Sequence, residues 1–132
     1  MTAITALLLF AAWTMVLMFV YVGYRTSRVA GGEPANSWTR GGDTPIPAFV
    51  RRAEHAHMNC VENLPVVAAV VLSAHVLGKV AVVDAWMEWV LFARLAQSAA
   101  HLAGTSPMLV QVRATFFTVQ VLLLFYMIFK LV

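Results

Sequence analysis

Charge is scarce in this chain. Only 11% of its 132 residues are Asp, Glu, Lys or Arg, against about 25% in a soluble domain. With 61% hydrophobic residues and a mean hydropathy of +0.80, this argues against a soluble globular fold. Disorder needs low hydrophobicity, which is absent. A dense basic surface is absent too, so nucleic acid is not an expected partner: the pI near 9.5 rests on only nine Lys and Arg. Cys60 is the single cysteine, which excludes a disulfide framework and a multi-thiolate zinc site. What is there is apolar length. At about 20 residues per crossing, the chain holds four membrane helices and short loops.

The first apolar run, Ala3 to Tyr24, carries no charge. It exceeds the roughly 7–15-residue core of a signal peptide, and no basic residue precedes it. It reads as a retained membrane helix, closed by Tyr21, Tyr24, Arg25 and Arg28 as an interface anchor. Gly31 to Thr44 is rich in Gly, Pro, Asn and Ser and reads as loop. A second helix starts near Pro47 and runs to about Leu77. At 1.5 Å per residue it measures about 45 Å, more than a hydrocarbon core of about 30 Å can cover. Its first turns, with Arg51, Arg52, Glu54 and His55, therefore project past the membrane. Gly78-Lys79 and Gly104-Thr105-Ser106-Pro107 are turns. The expected helices span about residues 2–24, 47–77, 80–103 and 108–131 of one all-α, four-helix membrane domain.

The loop between the first two helices, with its flanks, holds Arg25, Arg28, Arg40, Arg51 and Arg52, five of the nine basic residues. Arg113 follows the last turn on the same side, and only Lys79 and Lys130 lie opposite. The positive-inside rule then puts this loop in the cytoplasm and both termini away from it.

Intramembrane polar residues are functional candidates by default. On the second helix Arg52, His55, Asn59, Glu62 and Asn63 fall within an arc of roughly 100°. On the third, Arg94, Gln97, Ser98 and His101 follow the i, i+3, i+4, i+7 pattern of one face. Arg113 and Gln120 share a face of the fourth. With this orientation all three stripes converge at the cytoplasmic end. Arginines take carboxylates, a carboxylate takes an ammonium, and amides take peptide groups. The set suits a polyanionic solute that also carries an ammonium group. Polar residues also hold membrane helices together by hydrogen bonds, and Arg94 with Glu62 could form such a structural pair.

The run Arg51-Arg52-Ala53-Glu54-His55-Ala56-His57-Met58-Asn59-Cys60-Val61-Glu62-Asn63-Leu64-Pro65 resembles the second-helix signature of the MAPEG family, the membrane-associated proteins in eicosanoid and glutathione metabolism. Asn59-x-x-Glu62 followed by Pro65 is its most specific part, and Arg94 and Arg113 match arginines of the later helices. The resemblance implies a homotrimer with glutathione as co-substrate between subunits, open to the cytoplasm. It implies Arg113 as the catalytic residue that stabilises the thiolate. Arg52, His55, Asn59, Glu62, Asn63, Arg94, Gln97 and His101 are the implied glutathione-binding set. The implied partners are membrane lipid and a lipophilic electrophile. This sequence departs from the family's usual pattern at His55 (commonly arginine), at Gln97 and His101 (commonly histidine or tyrosine), and at Ala114 (serine in some members).

A free thiol ionises near 8.5, and a guanidinium beside it favours the thiolate. The implied activity is a glutathione transferase or peroxidase acting on lipophilic electrophiles. The expected lateral route for the acceptor passes between the first and fourth helices, by Phe19, Phe116, Phe117 and Leu123. Other readings remain open: a non-catalytic scaffold or lipid-binding protein of the same fold, and, less favoured, a channel. Cys60 reads as a small buried filler, His57 as an interface or intersubunit hydrogen-bonder, and His75 as interfacial. Asp84 and Glu88, beside Trp86 and Trp89, read as an outer interface belt. His55, Glu62 and His101 form no tight ligand motif, so no metal is expected.

Overall fold

The computed structural model describes residues 1–38 and 44–132. Arg40, counted above among the basic loop residues, lies outside them, as do Gly41, Gly42 and Asp43. Helix α1 runs Ala3–Ala30, α2 Ala48–Val76, α3 Val80–Asp84, α4 Met87–Ala103 and α5 Pro107–Leu131, with one 3₁₀ turn at Ala35–Trp38. Three of these, α1, α2 and α5, are long and apolar enough to cross a membrane. The described residues form an all-helical bundle in which α2 and α4 are central, α1 packing along α2 and α5 along α4.

Each helix is aligned by the residues it buries. On α1 these are Ala3, Ala6, Phe10, Thr14 and Leu17, spaced by three and four so that they form one stripe. On α2 the buried line includes Ala53, Ala56 and Cys60, whose small side chains let backbones approach. Large apolar side chains such as Leu8, Phe19, Leu122, Phe125 and Phe129 point outward, as a lipid-facing surface does. Pro65 lies inside α2 without ending it.

Two expectations change. First, α1 continues past Tyr24 to Ala30. Arg25, Thr26, Ser27 and Arg28 end the apolar run but are compatible with helix. The stop comes at Gly31-Gly32, where Gly32 has φ +100° and Glu33 N–H donates to Arg28 O at 3.2 Å. Second, the expected third helix is broken at Ala85-Trp86 into α3 and α4. No Gly or Pro marks the break. A tertiary contact does: Asp84 Oδ1 accepts the Ala3 N–H at 2.6 Å, while Trp86 turns edge-on to Tyr126 at 5.6 Å.

The remaining ends follow the sequence. Gly78, at φ +66°, closes α2 with Lys79 N–H on Ala74 O at 2.9 Å. Ser106 caps α5 through Leu109 N–H, with Pro107 in the first turn. The C-terminal ends of α1 and α4 and the N-terminal ends of α2 and α5 thereby meet at one end of the bundle.

Candidate functional site

At that end a cleft of about 630 Å³ opens between α2, α4 and α5, within the roughly 300–1,000 Å³ typical of small-molecule sites. Helix α2 presents Arg51, Arg52, His55, Met58, Asn59 and Glu62 to it. Helix α4 contributes His101, the following turn Thr105, and α5 Arg113. Of the nine residues anticipated for the site, six line the cleft: Arg52, His55, Asn59, Glu62, His101 and Arg113. Three arginines and one carboxylate face the same space. Such a set can hold carboxylates and one ammonium group at once.

Arg52 is fixed by Nε donating to Leu102 O at 2.9 Å, which leaves its terminal nitrogens for another partner. Arg113 Nε is buried and has no hydrogen-bond partner among the described residues. A buried donor left unmade is costly unless a ligand satisfies it. Glu62 is exposed, and among the described residues it forms no salt bridge. The alternative Arg94–Glu62 pair is not formed.

Arg94 and Gln97 stand behind the cleft. Arg94 is 1% exposed and donates from Nη1 to Asn59 Oδ1 at 3.0 Å. Gln97 Nε2 donates to the same oxygen at 3.3 Å, and Gln120 Nε2 donates to Gln97 Oε1 at 2.9 Å. This buried chain ties α2, α4 and α5 together and sets the angle at which Asn59 meets the cleft. Arg94 also lies over the Phe10 ring, 5.2 Å from its centroid, a cation–π contact from α1. Asn63 turns away and donates to Asn59 O at 2.8 Å. Gln120, whose face was recognised, belongs to this network, and Arg51 and Thr105 belong to the lining. A seven-residue offset from Arg113 signals Gln120, but only packing shows its depth.

The remaining candidates have local partners. Cys60 is fully buried, 3.9 Å from Ser98 Oγ. His57 is bonded within the chain, its Nδ1 2.9 Å from Thr14 O, so its partner is α1. Asp84 and Glu88 do more than line an interface. Asp84 caps α1, and Glu88 pairs with the Met1 ammonium at 3.2 Å. Helices α1 and α5, expected to flank a lateral route, do not pack extensively against each other within one chain. Phe116 instead meets Phe92 of α4, edge to face at 6.4 Å. No group of His, Cys, Asp and Glu suited to a metal ion occurs among the described residues.

No curated protein and no solved structure was found to match the chain. Residues 3–132 nevertheless match the model of the MAPEG family, and the chain belongs to that family.

Proposed function

We propose that this protein is a glutathione-dependent membrane transferase or peroxidase that activates the glutathione thiol for attack on lipophilic electrophiles. The observation that carries the reading is the cleft itself, where Arg113 keeps a buried, unmatched Nε–H beside arginines and one carboxylate. In this reading Arg51 and Arg52 take the carboxylates of glutathione, and Glu62 its ammonium. Arg113 favours the thiolate by charge. In the transferase reaction the thiolate sulfur forms a bond to an electrophilic carbon, and the leaving group departs with its electron pair. Asn59, held by Arg94 and Gln97, offers its amide to a peptide group. In this reading the protein works as a homotrimer in lipid, its cleft facing the cytoplasm and both termini facing away.

Calorimetric titration of the detergent-purified protein with glutathione tests this directly. Saturable binding and conjugation of chlorodinitrobenzene are expected. Absence of heat at millimolar glutathione, with phospholipid headgroups retained in the cleft, would instead support a non-catalytic, lipid-binding role for the same cleft.

A further inference from the structure

Stabilising a thiolate leaves a proton to be placed. Of the groups lining the cleft, Arg51, Arg52 and Arg113 cannot accept it, and the Asn59 amide is not basic. Glu62, His55 and His101 remain. Glu62 is exposed and is, among the described residues, the only carboxylate lining the cleft. Its charge is needed for an ammonium.

The four histidines divide into two kinds. His57 and His75 each commit Nδ1 to a backbone carbonyl at 2.9 Å. His55 and His101 have no hydrogen bond to any described residue, and they face each other across the cleft with ring centroids 6.2 Å apart. His101 is 6% exposed and within charge–charge reach of Arg113, Arg52 and His55. His55 is exposed to solvent.

We propose that His101 is the base that takes the glutathione thiol proton, and that His55 passes the proton to solvent. This rests on the glutathione reading above. The S–H bond breaks as an imidazole nitrogen of His101 gains the proton, leaving the electron pair on sulfur beside Arg113. The imidazolium then faces Arg113 and Arg52, with Arg51 also lining the cleft and Glu62 its sole carboxylate among the described residues. Repulsion from the guanidinium groups drives the proton outward to His55 and to water. The thiolate forms the carbon–sulfur bond and chloride leaves chlorodinitrobenzene with its pair.

The test compares full-length wild type with His101→Gln, which keeps polarity and bulk but accepts no proton. General bases contribute about 10²–10⁴-fold, so kcat/KM at neutral pH should fall at least about 100-fold. Glutathione Kd should stay within about threefold. The deficit should shrink as pH approaches the thiol's own pKa near 8.5, and added imidazole should restore part of the rate. Turnover equal to wild type at every pH overturns the proposal, as does a loss of affinity that accounts for the whole loss of rate. If the variant does not fold, wild type supplies the measurement. Carbethoxylation of His101, mapped by mass spectrometry, should track inactivation and be slowed by glutathione, and full turnover with His101 modified overturns the assignment. A wild type that binds no glutathione removes the proposed function and this role together. A wild type that conjugates, beside a His101→Gln that conjugates equally, removes the role alone.

Discussion

The two ends of the bundle handle charge in opposite ways. At the end where α1 begins, the Met1 ammonium and the charged side chains of Lys79, Asp84, Glu88 and Lys130 each have a partner. The Met1 ammonium meets Glu88, Asp84 takes the Ala3 N–H, Lys79 Nζ donates to Leu131 O at 2.7 Å, and Lys130 lies over the Tyr126 ring. At the cleft end, Arg25–Glu54 and Arg28–Glu33 are paired on the rim, but the interior is left open. Arg113 and Arg94 keep buried donors unmade, and His55, His101 and Glu62 are without partners among the described residues. Satisfied groups stabilise a fold, whereas unsatisfied ones mark where something else is expected to bind. The chain spends its few charges on structure at one end and keeps them available at the other.

Substitutions at the two ends should therefore separate activity from stability. Beside His101→Gln, the largest effect is expected from Arg113→Ala. Conjugation should fall about 100-fold, by analogy with loss of one donor to a developing anion, while the unfolding midpoint stays unchanged. An unaltered rate would remove the thiolate role. Asn59→Ala acts on both properties, because its oxygen is shared by Arg94 and Gln97. Interhelical hydrogen bonds in membranes are worth about 0.6–2 kcal/mol, so a loss of about 1–2 kcal/mol in SDS unfolding is expected, with weaker glutathione binding. Normal stability would show that the network does not hold the helices together.

Opposite the cleft, Asp84→Ala should cost about 1 kcal/mol, the usual value of a lost helix cap, with glutathione binding untouched. A fall in affinity would break the comparison between the ends. Glu88→Gln should be the mildest. Its ion pair is part-exposed, and such pairs contribute about 0–1 kcal/mol. Its unfolding curve should be close to wild type, and a larger loss than that of Asp84→Ala would reverse their order.

Much of this arrangement was legible in the residues. Pro47, Gly78-Lys79 and Ser106-Pro107 fix helix ends because their backbone chemistry is local. The clustering of Arg52, His55, Asn59, Glu62, His101 and Arg113 followed from helical periodicity and depth. What sequence could not provide was contact. Arg94 shares a face with His101, yet packing buries it behind Asn59. Periodicity assigns a direction, not a distance from solvent. The break at Ala85-Trp86 has no local signal, since Asp84 turns aside for a backbone group 81 residues earlier in the chain. Helix α1 outruns its apolar stretch because hydrophobicity, not helix compatibility, stops at Tyr24.

That long-range cap bears on the order of biosynthesis. At about 5–20 residues per second, the ribosome delivers Asp84 some 4–16 seconds after Ala3. Throughout that interval the leading turn of the first span lacks its final hydrogen-bond acceptor. The start of this helix is completed only when α3 has come to lie beside it. Premature truncation before Asp84 would therefore leave the Ala3 N–H without its acceptor, well away from the cut, with only the local Thr2 cap on that turn.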